Sequence, residues 1–372
     1  MLVAMHELVA DIEALVRCES PSEDLAAVAR SADAVAAVGT RLLDAEPERI
    51  VLDGWTHLRW RFGSAAPGDP APRVLLLGHH DTVWPVGSLV THPFGVHDGV
   101  LRGPGCFDMK AGVVMAFHAV AALPADERAG ITILVTGDEE IGSPSSRALI
   151  ESEARGCVAA LVLEAAGPGG ALKTERKGVS RYDVLVTGRA AHAGLEPERG
   201  VNATIEVAHQ VHAVAALADP ARGTTVTPTR LDAGTTINTV PAAAGFGVDV
   251  RVRDEAEQDR VHAALQELRP VLPGADVEVV GGPNRPPLTS TATRALFDRA
   301  ATIAAGLGLD PLTALAVGGA SDGNYTAGVG TPTLDGLGAV GGGAHADDEH
   351  VVVAELGRRT ALLTALLTDL LR

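Results

Sequence analysis

The segment Gly78-His79-His80-Asp81-Thr82 puts an imidazole two residues before a carboxylate. Alternate residues of an extended chain share a face, so His79 and Asp81 point together and His80 points away. An acid beside an imidazole is the pairing by which a carboxylate orients a metal-bound histidine. Asp108 stands in Gly105-Cys106-Phe107-Asp108-Met109-Lys110, where a loop gives way to a helix. Asp138-Glu139-Glu140 follows an apolar segment, and Glu164 directly follows Leu161-Val162-Leu163. An ionised carboxylate at the end of an apolar strand needs a partner or a metal. His345 sits in the glycine-lined loop Gly342-Gly343-Ala344-His345. Singly, these signals also read as a turn histidine, a helix cap or a solvated acidic loop. Together, two histidines and three carboxylates make a donor set suited to zinc, with manganese or cobalt as alternatives. Five donors exceed one tetrahedral ion and fit two ions that share a bridging carboxylate.

The elements that must carry these residues follow from hydrophobic pattern. Apolar runs at 74–77, 131–135 and 160–163 read as buried strands, with helices at 111–123 and 145–153 between them. Strand–helix–strand alternation of this kind implies an α/β fold: a mixed, mostly parallel sheet sandwiched by helices. Polar segments carrying the candidate donors follow the strand ends, where sites in such sheets form. The pattern changes at 182–187 and 246–252, which alternate as half-buried strands. With helices at about 201–217 and 255–268, this stretch reads as an inserted α+β unit of strand–helix–strand–strand–helix–strand order. The expected boundaries are therefore a catalytic domain at 1–177 and 287–372 around an insertion at 178–286. Helices at 291–305 and 351–371 and a strand at 312–317 complete the second catalytic segment.

Composition narrows the class. The 372 residues suit two or three domains. A net charge of −17 repels phosphate backbones and anionic bilayers, which argues against nucleic-acid and membrane partners. Cys18, Cys106 and Cys157 are too few and too scattered for a disulfide framework or a thiolate zinc site. Residues 1–19 read as an amphipathic helix rather than a signal peptide, and no run is long enough to span a bilayer, so a cytoplasmic location is expected. Only Lys110, Lys173 and Lys177 are lysines among 30 basic residues, a hint that ammonium groups are needed there.

His79-x-Asp81, Gly105-x-x-Asp108-Met109-Lys110, Glu139-Glu140-x-Gly142, Glu164 and His345, in this order, resemble a co-catalytic zinc metallopeptidase family. Its members include glutamate carboxypeptidase, aminoacylase, acetylornithine deacetylase and succinyl-diaminopimelate desuccinylase. The likeness runs from about Glu19 to the C-terminus. It is closest to the glutamate carboxypeptidase branch, through Asp81-Thr82-Val83-Trp84 and Gly103-Pro104-Gly105. The resemblance implies two Zn2+ per subunit, with Co2+ or Mn2+ as substitutes, and a bridging Asp108. His79 and Glu164 then complete one site and Glu140 and His345 the other. Glu139 is implied as general base, Asp81 as the residue that orients His79, and Asp108–Met109 as a cis peptide.

In the insertion, Gly188-Arg189-Ala190-Ala191-His192 resembles a loop whose histidine reaches the active site of a dimer mate. Asn238 and Arg251 resemble residues that contact substrate, the arginine gripping a terminal carboxylate, which suits a bidentate guanidinium. The insertion is thereby implied to be a lid and dimerisation domain. The activity implied is hydrolysis of an amide next to a free carboxylate, as a carboxypeptidase releasing C-terminal glutamate or a related amino acid. An N-acyl-amino-acid amidohydrolase uses the same parts, and a non-catalytic amino-acid-binding relative is a more distant alternative. His80 departs from the pattern, standing where relatives often carry an apolar residue. Cys106 reads as a small buried hydrophobe.

Overall fold

The computed structural model describes residues 5–63 and 72–372, which form two compact units. Met1–Glu175, Thr289–Val317 and Ser321–Arg372 make the first unit, and Arg176–Leu288 with Gly318–Ala320 the second.

The first unit is built on a six-stranded sheet. Its strand order is Glu48–Leu52, Trp55–Arg61, Ile131–Thr136, Val74–His79, Ala159–Val162 and Thr333–Leu334. The last four run parallel, and the Glu48–Leu52/Trp55–Arg61 hairpin adds an antiparallel edge. Parallel strands are covered on both faces, which is why these runs are apolar throughout instead of alternating. Val74 and Leu76 face a cluster with the helices Met5–Val16, Leu25–Leu43, Ala111–Ala121 and Val353–Leu370. Leu75 and Leu77 face the other way, onto Ile150, Ala154 and Tyr325 of Arg147–Ala154 and Gly323–Gly328. Of the expected N-terminal helix, Met5–Val16 is helical, and residues 1–4 lie outside the described residues. The C-terminal helix begins later than its pattern suggests, because His350–Val352 is a strand.

A four-stranded antiparallel sheet joins Gly95–His97, Val100–Arg102, His350–Val352 and Gly341–Gly342 in that spatial order. Among the described residues, no helix is long and apolar enough to cross a membrane.

The second unit has the order strand–helix–strand–strand–helix–strand, interrupted only by short bridges and turns. Its sheet runs Thr225–Ala233, Ala243–Val252, Gly178–Thr187, Asp276–Arg285, all antiparallel. One face alternates inward through Tyr182, Val184, Val186, Phe246, Val248 and Val250 onto Val207, Val214, Val261 and Leu265 of its two helices. The other face carries polar groups such as Arg181, Asp183, Asp249 and Arg251, as a sheet with one packed side should.

Candidate metal centre

Strand register brings the donors together. His79 pairs with Thr136 and Leu77 with Val162 in parallel alignment. Glu164, two residues past Val162, therefore comes level with His79, and Glu139 and Glu140 follow just beyond Thr136. Helix Ala111–Ala121 packs close beneath Glu164 because Gly112 has no side chain: a Cβ there would lie 2.1 Å from the Leu163 carbonyl oxygen. Asp108 and His345 arrive from the smaller sheet. Val100–Arg102 leads into the Asp108 loop, while Gly341–Gly342 and His350–Val352 flank the His345 loop. Residue 110, not 108, is the N-cap of the following helix, so the Asp108 carboxylate is not spent on capping. The Asp108–Met109 peptide is cis.

Spacing among the donors is distinctive. His79 Nε2 lies 3.5 Å from Asp108 Oδ1 and 3.6 Å from Glu164 Oε1. His345 Nε2 lies 3.4 Å from Asp108 Oδ2 and 3.2 Å from Glu140 Oε2. Most of these separations are too long for good hydrogen bonds. Two donors bound at about 2.0–2.2 Å to one tetrahedral ion stand about 3.3–3.6 Å apart, which is what is seen. Asp108 thus faces both histidines, one through each oxygen. His79 Nε2, Asp108 Oδ1 and Glu140 Oε1 are buried without a hydrogen-bond partner among the described residues. Orphaned buried polar atoms are rare and call for an ion or a water. His79, Asp108 and Glu140 form one group with donor atoms within 4.8 Å of one another, and His79, Glu139 and Glu164 another. These residues fit a pair of divalent cations.

Electrostatics agree. Burial opposes charge on His79, yet Asp108, Asp81 and Glu164 raise its pKa well above the ordinary value. The facing carboxylates, Asp108 first and then Glu140, raise His345 to about 10. Glu140 is pushed up to about 7 by burial, with the Asp108 charge adding to it. Such a nest of acids takes up protons unless another cation neutralises it.

Asp81 is fully buried. Its Oδ2 accepts from Ser22 Oγ at 2.6 Å and from the Glu140 N–H at 3.1 Å, and its Oδ1 from the Glu139 N–H at 3.2 Å. His79 Nδ1 is 3.0 Å from the Asp81 main-chain oxygen and 3.4 Å from its carboxylate. Donation at Nδ1 leaves the Nε2 lone pair directed at Asp108 and Glu164. His80 turns away, its Nε2 3.0 Å from the Thr56 carbonyl oxygen, and burial depresses its pKa to about 4.

The Peptidase family M20/M25/M40 model matches residues 75–369. The chain belongs to this family. It is 32% identical to "Carboxypeptidase G2" of Pseudomonas sp. (strain RS-16), over 96% of this chain and 88% of that one. It is 30% identical to "Succinyl-diaminopimelate desuccinylase" of Methylorubrum extorquens (strain PA1), over 96% and 97% of the two chains. Its fold is that of aminopeptidase PepT from Bacillus cereus ATCC 10987, with a TM-score of 0.75, 22% identity and full coverage of both chains. As an M20 peptidase it is a metallohydrolase acting on amide bonds.

Of the residues assigned from the M20 motifs, the first unit gathers seven: His79, Asp81, Asp108, Glu139, Glu140, Glu164 and His345. His192, Asn238 and Arg251 belong to the second unit. There, Ala191–His192 pairs with Thr239–Val240, and the Ala193 N–H donates to the Asn238 carbonyl at 3.0 Å, so the two loops are neighbours. His192 Nδ1 accepts the Gly194 N–H at 3.1 Å, which puts the neutral ring's proton on Nε2 as an outward donor. Arg251 is clamped by both oxygens of Asp249, at 2.7 and 2.9 Å. Two of the rare lysines stand beside these residues. Lys173 Nζ lies 3.9 Å from Glu164 Oε2, and Lys110 Nζ is buried and donates to the Cys18 carbonyl at 2.8 Å. Their scarcity as lysines was the available signal.

Proposed function

We propose that this M20 hydrolase works with two zinc ions, cleaves an amide beside a free carboxylate, and acts as a carboxypeptidase releasing C-terminal glutamate or a related amino acid. The observation that carries the reading is the two-sided placement of Asp108 between His79 and His345, at spacings suited to shared ions. In it, His79, Asp108 and Glu164 hold one ion, and Asp108, Glu140 and His345 the other. Bound divalent cations would supply Lewis acidity at the scissile carbonyl and acidify water beside it. Glu139 takes the water's proton and later delivers it to the leaving amine. Asp81 holds the Glu139 and Glu140 segment and the His79 ring in place. His192 presents its Nε2–H to the developing oxyanion, acting on the neighbouring subunit of a homodimer formed through the 178–286 insertion, which also serves as a lid. Arg251 exchanges Asp249 for the substrate carboxylate, and Asn238 contacts the bound substrate. Three free cysteines accord with a cytoplasmic setting.

The relative named as a desuccinylase favours a second reading, N-acyl-amino-acid amidohydrolase. One panel tests both. N-acyl amino acids and dipeptides are assayed before chelation, after it, and after return of zinc, manganese or cobalt. Peptidyl- or acyl-glutamate hydrolysis lost with the metal and restored by it supports the proposal. Rates that survive thorough metal removal overturn it, and preference for another amino acid shifts the assignment toward the second reading.

A further inference from the structure

In the acidic run Asp347-Asp348-Glu349, the first two residues are exposed, while Glu349 is 4% exposed. Its carboxylate accepts four hydrogen bonds. Oε1 takes the N–H groups of Phe107 at 2.9 Å and Asp108 at 3.0 Å. Oε2 takes the Gly105 N–H at 2.9 Å and the Trp84 indole N–H at 2.7 Å. Three of the donors belong to the loop that carries Asp108. The fourth lies three residues past Asp81, on the segment that carries His79, and Glu349 itself is four residues past His345. Within the Asp108 loop the Lys110 N–H reaches the Gly105 carbonyl at 3.1 Å, but Asp108 and Met109 have non-helical φ/ψ and Gly105 has φ 69°, so this single wide turn is irregular at Asp108 itself. One buried carboxylate thus satisfies the backbone of one ligand-bearing segment and ties it to two others.

We infer that Glu349 is a positioning residue that registers the Asp108 loop against the His79 and His345 segments and so sets the separation of the two metal positions. The inference rests on the two-metal reading above. The four hydrogen bonds of Glu349 go to three main-chain N–H groups and one indole N–H, not to a candidate donor side chain. It acts by holding the Asp108 main chain where its two oxygens can face different histidines. An amide in its place has only one accepting oxygen, and its NH2 would meet N–H donors, so part of the loop loses its anchor.

The test compares metal uptake by chelated wild type and by E349Q. Each is titrated with Co2+, reading stoichiometry by calorimetry and magnetic coupling between neighbouring ions by electron paramagnetic resonance. Wild type is expected to take up two coupled ions. E349Q, with its circular dichroism unchanged, is expected to bind the second ion about 10–100-fold more weakly and to lose the coupling. Wild-type affinity and coupling in E349Q overturn the inference with the metal site intact. A wild type that takes up no ions removes the two-metal reading, and the inference with it. Should E349Q not fold, W84F decides, because it removes one of the four bonds and leaves the other three. Weaker, uncoupled second-ion binding in W84F supports the inference, and unchanged binding overturns it.

Discussion

Asp81 and Glu139 are both buried acids beside the metal-binding cluster, and their hydrogen bonding separates their work. Burial pushes the Asp81 carboxyl up, but bonds from His79 and Ser22 outweigh it and hold its pKa below the ordinary value. With both oxygens also accepting backbone N–H groups, Asp81 is a poor proton acceptor and a good fixture. Glu139 has its main-chain N–H fixed by Asp81, and its carboxylate reaches the donor atoms of His79 and Glu164. Of the two acids, Glu139 is therefore the one suited to the proposed proton transfer. E139Q should retain its metal and lose about 10²–10⁴-fold in turnover, the usual worth of a general base. Steady-state kinetics with metal analysis on the same sample checks this; a near-normal rate would remove Glu139 from the role.

Elements position these residues through close backbone contacts, and Gly112 shows how close. A Cβ at 112 would sit 2.1 Å from the Leu163 oxygen, a backbone atom that cannot rotate away. G112A must lever the helix off the strand end next to Glu164, at about 1–3 kcal/mol of stability for an overpacked site. Denaturant midpoints measure the loss, and a wild-type midpoint would show that the contact relaxes freely. The strands that carry the chemistry were legible because parallel, doubly covered strands must be apolar, as Val74 to Leu77 and Ala160 to Leu163 are. The hairpin Glu48–Arg61 was not, since its outer strand has no buried residue and charged groups line it. In the insertion the strand–helix–strand–strand–helix–strand order was legible, but its other two strands, Thr225–Ala233 and Asp276–Arg285, could not be given bounds because they are edge strands with little burial. Candidate metal donors can be read from residue type and order. The work of Glu349 cannot, because its partners are mainly backbone N–H groups whose convergence exists only after folding.

At the scale of the whole molecule, among the described residues the hydrophobic clusters of the two units share no residue. The clusters around Leu76 and Tyr325 lie in the first unit and the cluster around Val184 in the second. Each unit therefore has its own sensitivity to conditions. In the second, Glu257 is buried and accepts from Arg260 at 2.9 Å, Thr224 at 2.7 Å and Arg222 at 2.6 Å. The Arg260 guanidinium foremost, with Thr224 and Arg222, holds its carboxyl at about 2, below the ordinary 4.5. A group whose pKa is lower folded than unfolded binds fewer protons in the native state, so it stabilises at high pH. That contribution is complete above the unfolded value of about 4.5 and drains away as the pH falls toward about 2. Hydrogen-exchange protection factors in Ala243–Val252 and Gly178–Thr187, the central strands of that sheet, taken relative to the intrinsic rate at each pH, should therefore fall across this window. E257Q has no carboxylate to lose. Its second unit should start less stable at neutral pH and show a flatter acid response, while a wild-type slope in E257Q would mean that other acids, Glu206 among them, carry the dependence.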